Sequence, residues 1–210
     1  MQPMAPPAPP PGGRPKRNPN VVALVVLAIL GICGLFVGSV ALFEFTSTEL
    51  PVTDADRDLL LCAEDLKPYV DIPPLAPGDE VFTKLRYLDG SLELSYEYDP
   101  PEGGYMFVRI SQELKASDAL IVYTTEKAGL RIGLALEEGT ELRPREDVFR
   151  AGDASTFHDI VVGGLVVGHS FVARIGKVIY AVAISGYDMG QPAIWQGLMA
   201  ERLKAPRLTD

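Results

Sequence analysis

Two histidines, an aspartate and two serines in the last third of the sequence are the residue types that build a hydrolase triad or a zinc site. They are His158, Asp159, His169, Ser155 and Ser170, on the two sides of a predicted hairpin that would let the histidines face each other. A hydrolase serine lies in a G-x-S-x-G turn, and neither serine has both glycines. Zinc needs three or four converging ligands, which no HxxxH motif or cysteine pair supplies here. We therefore predict no catalytic residues, no metal ligands and no enzymatic activity.

Residues 163–170, GGLVVGHS, imitate the phosphate-binding loop GxxxxGK[ST]. That loop needs a lysine to contact the terminal phosphates and a helix directly after it. Here His169 takes the place of the lysine, and a predicted strand follows from Phe171. Nucleotide binding is therefore not expected, and no cofactor is predicted.

Acidic and apolar side chains alternate over residues 92–98, which predicts a strand with one buried side and one side that faces solvent. Calcium binding on the acidic side is not expected, because Glu93, Glu97 and Asp99 form a flat row and calcium needs six or more converging oxygens. The aromatic residues leave two alternatives, the walls of a small-ligand pocket or ordinary core. They are Tyr96, Tyr98, Tyr105, Tyr123 and Trp195.

The first elements of the water-exposed part are predicted to be a helix and a hairpin. Thr53 and Asp56 form a capping-box pattern that opens a helix through about residue 66. A proline-rich connector follows this helix. Asp89-Gly90 is a turn signal between two extended segments. The two strands of this hairpin are predicted at residues 81–88 and 92–98.

A strand over residues 106–110 and a helix opened by Ser117 and Asp118 come next, and the end of this helix is left open. In one alternative Gly129 stops the helix, and the following leucines and isoleucine alternate as a strand. In the other alternative the helix continues to Glu138.

The last third of the chain predicts a three-stranded meander and a terminal helix. Gly163-Gly164 and Gly176 mark the turns, and Pro192 suits the first turn of a helix that covers the sheet until Pro206. The strands are predicted at residues 160–162, 165–174 and 177–185. Antiparallel strands with a few packed helices make an α+β fold with a mostly antiparallel sheet, assigned to residues 81–210.

The stretch FVARIGKVIYAVAISG, followed by a helix that contains Trp195, resembles the Mog1/PsbP-like α+β domains. The resemblance covers roughly the last 120 residues and consists of the order of elements and the hydrophobic pattern. It implies a binding or assembly module, often exported or membrane-tethered, and it carries over no catalytic residues.

Residues 21–43 form an uncharged apolar run whose only hydroxyl belongs to Ser39. As a helix this run is about 34 Å long, which is enough to cross a bilayer as a signal anchor. Arg14, Lys16 and Arg17 precede it and acidic residues follow it. The positive-inside rule then places the N-terminus in the cytoplasm and the domain outside, in the periplasm if the host is a bacterium.

Two patterns inside the apolar run concern processing and self-association. Ser39-Val40-Ala41 offers the small residues that a signal peptidase reads, so cleavage after Ala41 is the alternative to a retained anchor. The run is longer than an ordinary signal h-region, which favours retention. Gly34 and Gly38 form a GxxxG pair, from which we derive the hypothesis of a homodimer face within the membrane.

Composition and charge exclude some kinds of binding partner. Residues 1–20 hold eight prolines and no acid, which predicts a disordered cytoplasmic tail, and residues 44–80 hold the juxtamembrane helix and the connector. After residue 43 the chain carries all 28 acidic and 16 of the 19 basic side chains, a net charge of −12. Such a surface repels phosphate backbones, so nucleic-acid binding is not expected.

These features together predict a single-pass, membrane-anchored interaction or accessory module of the cell envelope. Its partners are the lipid bilayer and an envelope protein that the sequence does not identify. A small-ligand-binding or sensing domain is the alternative function, and an envelope hydrolase is the third.

Overall fold

Eight strands in the described part of the chain form one antiparallel sheet. The structure is a computed structural model, and it describes residues 47–101, 104–135, 139–148, 150–189, 191–204 and 206–209. The strands are β1 (Ser47–Glu49), β2 (Glu80–Tyr87), β3 (Leu92–Tyr98), β4 (Tyr105–Gln112), β5 (Thr140–Pro144), β6 (Ala154–Val162), β7 (Leu165–Ile175) and β8 (Val178–Ser185). Their order across the sheet is β1-β2-β3-β4-β8-β7-β6-β5, so β1 and β5 are its edges.

Helices cover both faces of this sheet. They are α1 (Asp54–Leu59), α2 (Ala63–Leu66), α3 (Ala116–Ala135) and α4 (Pro192–Met199). The segments of α1, α2 and α4 share the larger cluster of buried side chains with the central strands. On the opposite face, Ala119 and Tyr123 of α3 pack against Val172 and Ile179. The prediction of an α+β fold with a mostly antiparallel sheet is confirmed.

The predicted hairpin around Asp89-Gly90 is confirmed. Gly90 has a φ of +88°, a left-handed conformation that glycine adopts without a steric penalty. The predicted alternation in β3 is also present, with Leu92, Leu94, Tyr96 and Tyr98 all buried. The acidic side of β3 is less open than expected, because Glu93 lies half-buried near Arg109 of β4.

The prediction of one helix from the Thr53 cap to about residue 66 is wrong, because the chain forms α1 and α2 with a break between them. The capping box itself is present, with the Asp56 N–H donated to the Thr53 hydroxyl at 3.2 Å. The break has a tertiary cause. The Tyr180 hydroxyl donates to the Leu59 carbonyl at 3.1 Å and accepts the Leu61 N–H at 3.0 Å. This side chain of β8 satisfies backbone groups that a further helical turn would have used.

The structure decides between the two alternatives for the end of the third helix, because the helix continues past Gly129. The helix α3 passes through Gly129 and ends at Ala135, so the alternative of a strand after Gly129 is wrong. A short alternation of apolar residues is compatible with either structure. Extending an existing helix adds one hydrogen bond for each residue fixed, which favours continuation.

The last third agrees with the predicted meander, with two changes in length. β6 begins at Ala154 rather than at residue 160. Helix α4 ends at Met199 and is followed by turns, although its predicted end was Pro206. It covers the sheet as expected, because Trp195 and Leu198 are buried.

The edge strands β1 and β5 have no counterpart in the predicted elements. Most of their residues are exposed or only half-buried, so they show no alternation of apolar and polar side chains. The compact unit begins at Ser47, and β1 pairs with β2. The segment before the connector therefore packs with residues 81–210.

Several predicted features lie outside the described residues. They are the tail of residues 1–20, the apolar run of residues 21–43, Gly34, Gly38 and the cleavage pattern at Ala41. Among the helices that the structure does describe, none combines the length and the hydropathy of a membrane span.

Candidate functional site

His169 and Asp159 meet inside the core. They are cross-strand neighbours on β7 and β6, with 3.0 Å between His169 Nδ1 and Asp159 Oδ1. Arg145, which follows β5, donates from Nη1 to Asp159 Oδ2 at 2.9 Å and from Nε to Asp147 at 2.8 Å. We call these four residues the His169 network, which leads from the buried ring to the exposed carboxylate of Asp147.

The second ring nitrogen of His169 also has a partner. Its Nε2 accepts the backbone N–H of Met189 at 2.9 Å, so the proton of the neutral ring lies on Nδ1 and is donated to Asp159. Burial lowers the pKa of His169, and this outweighs the opposite effect of Asp159 and Asp188. His169 therefore connects the sheet to the segment before α4 as a neutral group, with both nitrogens in use.

The serines of the hydrolase hypothesis are not next to this pair. Ser170 follows His169 in β7, so its side chain points to the opposite face of the sheet, where it lies across from His158. Ser155 is on β6 four residues from Asp159, at a distance of about 13 Å along the strand. The structure thus brings together one His–Asp pair and leaves both serines away from it.

The two histidines do not share a metal site. His158 is the register partner of Ser170, and His169 is the partner of Asp159, so the two rings lie on opposite faces of the sheet. The expectation that they could face each other is wrong. In the part of the chain that the structure describes, no three His, Cys, Asp or Glu side chains form a group able to hold a metal ion.

The aromatic residues do not line a common pocket. Tyr96, Tyr98 and Trp195 belong to the larger core. Tyr123 of α3 packs on the other face of the sheet. The Tyr96 hydroxyl accepts the N–H of Ala63 at 3.0 Å and bonds to a Glu80 oxygen at 2.7 Å. Of the two alternatives, core is the one that these four residues occupy, whereas Tyr105 of β4 is half-buried and belongs to neither cluster.

A cavity of about 460 Å³ lies near the β5 edge of the sheet, next to α3 and the segment that follows β5. β5 pairs with β6 only from His158 onward, and Arg145 donates its backbone N–H to the Phe157 carbonyl at 2.9 Å, so β5 leaves residues 154–156 of β6 unpaired. Polar side chains dominate the lining, among them Lys127, Arg150, Ser155 and Thr156. The cavity is a candidate binding site that the sequence did not predict.

Large apolar side chains are exposed at one end of the sheet. Leu88 lies in the β2–β3 turn and Leu114 directly after β4, and they are 81% and 51% exposed. Leu120 and Ile121 lie in the first two turns of α3, which begins at the same end. A Cβ atom on Gly90 would be 3.7 Å from Leu114, so Leu114 packs against the turn that carries Leu88.

Four carboxylates lie at the same end of the sheet. They belong to Asp89, Glu93, Glu113 and Asp118. Burial raises the pKa of Glu113, and the other three carboxylates raise it further, which indicates that their charges are close together. Lys115 and Lys177 lie at the same end and are outnumbered. We call Leu88, Leu114, Leu120 and Ile121 with these four carboxylates the apolar–acidic end.

Comparisons of the chain with protein-family models, curated proteins and solved structures find no match. Its function is therefore inferred from its own residues and their geometry.

Sequence reasoning missed both the cavity and the apolar–acidic end. The sequence did contain a signal for the apolar–acidic end. Leu88 lies directly before the Asp89-Gly90 turn, and Leu114 lies between two charged residues. An apolar residue in a turn has no core to enter. For Lys127 and Thr156 no local signal exists, because the packing of α3 on the sheet decides that they line one cavity.

We expect the free energy of unfolding to fall as the pH is lowered below about 6.5. The pKa of His169 is below its ordinary value in the folded chain, so the unfolded chain binds more protons in this range. This contribution to stability is complete above the unfolded pKa and is lost as the pH falls towards the folded one. Urea titrations at a series of pH values, followed by the fluorescence of Trp195, the single tryptophan, measure the free energy of unfolding. The fall should shrink in His169→Gln and persist in His158→Gln, and equal pH dependence in the two variants would contradict the assignment.

Proposed function

We propose that the chain is a single-pass membrane protein whose extracytoplasmic domain is a non-catalytic interaction module, an accessory subunit of an envelope complex. The observation that carries this proposal is the apolar–acidic end. Large apolar side chains exposed at one end of a domain are typical of a site that a partner covers. Four of the eight large apolar side chains exposed in the described residues lie at this end.

The contacts of the His169 network favour a structural role over a catalytic one. Both nitrogens of His169 have partners inside the protein, and Ser155 and Ser170 are away from it. A general base needs a free nitrogen within hydrogen-bond reach of the group that it deprotonates. In the folded domain these polar groups hold elements together.

The membrane anchor is the second part of the proposal. Residues 21–43 have the length and the uncharged composition of a span, and the flanking charges favour a cytoplasmic N-terminus. Gly34 and Gly38 add a proposed contact between two such helices. The resemblance to the Mog1/PsbP-like domains belongs to the same proposal, because it implies binding modules that are often exported or membrane-tethered.

The partner of the apolar–acidic end is proposed to be a protein with an apolar surface flanked by lysine or arginine. Complementary charge steers such partners together and disfavours wrong ones. Burial raises the pKa of Glu113 most, and the charges of Asp89, Asp118 and Glu93 raise it further; a basic partner would counter the effect of these charges. A second copy packed through the same end would bring the same carboxylates face to face.

Site-specific photocrosslinking of the full chain in intact cells tests this proposal. A photoreactive amino acid at Leu88 or at Leu114 is expected to give a protein adduct of the same size. Leu165 is a matched control, because it is 73% exposed in the turn at the opposite end of the sheet, and no such adduct is expected there. Mass analysis of the same material should find the residues before position 42 retained.

Charge reversal completes this experiment. Asp118→Lys is expected to weaken the adduct, and Glu141→Lys on the exposed edge strand β5 is expected to leave it unchanged. An adduct of equal strength at Leu165, or one that Asp118→Lys does not affect, would contradict the proposed interface. A mature N-terminus at residue 42 would contradict the retained anchor.

Small-ligand binding is the second candidate function, and the cavity beside β6 is the observation that favours it.

A further inference from the structure

The cavity beside β6 borders a group of polar side chains on the face of the sheet that α3 covers. Thr156 is the register partner of Val172, and Val172 packs against α3, so Thr156 points to the α3 face. His158 lies two residues further along the same face, opposite Ser170. Three polar side chains, those of Thr156, His158 and Ser170, thus occupy neighbouring positions on this face.

Two of these polar groups are buried without a hydrogen-bond partner among the described residues. They are the hydroxyls of Thr156 and Ser170. A buried polar group that makes no hydrogen bond is costly, and native structures keep few of them without a reason. Thr156 also lines the cavity, so its side chain forms part of the cavity wall.

The charges around the cavity leave one amine without a counter-charge. Arg145 contacts Asp159, Asp153 lies near Arg174, and Arg150 lies near Glu146. Lys127 lines the same cavity, and among the described residues it has no ion-pair partner. In a domain of net charge −12, an unpaired lysine that lines the same cavity as Thr156 is a local site for negative charge.

We propose that this cavity binds a small oxyanion, the carboxylate or phosphate group of a soluble ligand. Lys127 supplies the positive charge and Thr156 donates its hydroxyl hydrogen. An oxyanion has several acceptor lone pairs and can accept both bonds at once. The volume of about 460 Å³ is in the range of small-molecule sites. The cavity shares no residue with the apolar–acidic end, so the two proposals stand or fall separately.

Isothermal titration calorimetry of the full chain in detergent micelles tests this inference. Inorganic phosphate and succinate are titrated in separate arms at constant ionic strength, and chloride is the third arm. Saturable binding is expected for at least one of the two oxyanions and not for chloride, and the arm that binds identifies the class. Lys127→Gln is expected to weaken binding about tenfold, the loss that removal of one charge-assisted hydrogen bond produces. Lys115→Gln makes the same charge change at the start of α3 and should leave the affinity unchanged.

Thr156→Val separates binding from folding. The substitution removes an unsatisfied hydroxyl at nearly constant shape, so stability should stay the same or rise. Binding should weaken about fivefold, as expected for the loss of one neutral hydrogen bond. The proposal is overturned if neither oxyanion binds more than chloride does, or if Lys127→Gln and Thr156→Val both leave the affinity unchanged.

Discussion

Asp56→Ala is expected to lower the free energy of unfolding by about 3–5 kcal/mol. Asp56 and Lys84 are 3% and 2% exposed, and Lys84 Nζ lies 2.9 Å from both carboxylate oxygens. The substitution leaves the Lys84 ammonium in the core without a counter-charge. It also removes the carboxylate that accepts the Thr53 N–H at 2.9 Å, which is half of the capping box of α1. Urea titration of the full chain in detergent, followed by Trp195 fluorescence, measures the change.

Controls on the same helix and on the partner make this test specific. Asp58→Ala removes an exposed carboxylate of α1 and should change stability by less than about 0.5 kcal/mol. Lys84→Met should cost less than Asp56→Ala, because Asp56 keeps its hydrogen bonds from Thr53. The double variant Asp56→Ala/Lys84→Met should lose less than the sum of the single losses, since no lone charge remains. Additive losses would contradict a direct buried pair.

The pKa of Asp56 agrees with a paired carboxylate. Burial alone would raise it, but hydrogen bonds from Lys84 and Thr53 outweigh burial and lower it below its ordinary value. The carboxylate therefore stays ionised in the folded chain, and its contribution to stability is lost only when the pH falls below about 3.8. This range is well below the one in which His169 acts.

Hydrophobic alternation predicted the central strands because each of them buries a complete side. In β3, for example, every second residue from Leu92 to Tyr98 enters the core. The edge strands β1 and β5 bury too little to show such a pattern. Their position is decided by pairing with β2 and β6, which no local pattern reports.

The division between α1 and α2 also lies beyond local reasoning. The capping box at Thr53 is a local signal and was predicted correctly. The hydroxyl that ends α1 belongs to Tyr180, which is 119 residues away from Leu61 in the chain. The contact exists only after β8 and the N-terminal segment have come together.

The sequence identified the residues of the His–Asp pair as candidates, but it did not show which histidine contacts Asp159. The Gly163-Gly164 turn indicates a hairpin, but a shift of one residue in its register moves every side chain to the other face. An irregularity between Ile160 and Val161 sets the register in which His169 meets Asp159 rather than His158. Such a bulge has no clear sequence signal, so the residue types alone could not show which histidine belongs to the network.

Asp159→Ala is expected to lower the free energy of unfolding by about 1–3 kcal/mol, the cost of a buried donor that loses its acceptor. The Nδ1–H of His169 is donated to Asp159, and the other ring nitrogen already accepts the Met189 N–H. Rotation of the ring therefore cannot recover the lost bond without breaking the other. Asp159→Asn keeps a side-chain oxygen for the Nδ1–H and should lose less than Asp159→Ala in the same urea titration.

Asp147→Ala distinguishes the buried contact from the surface one. Asp147 and Asp159 both bind Arg145, but Asp147 is largely exposed and does not reach His169. Water and salt screen its interaction, and removing it should leave stability close to that of the unsubstituted chain. If Asp147→Ala and Asp159→Ala lose the same stability, the Arg145 contact dominates and the role assigned to the His169 bond is wrong. If only Asp159→Ala is destabilised, the buried His–Asp pair is what fixes β6, β7 and the segment before α4 to one another.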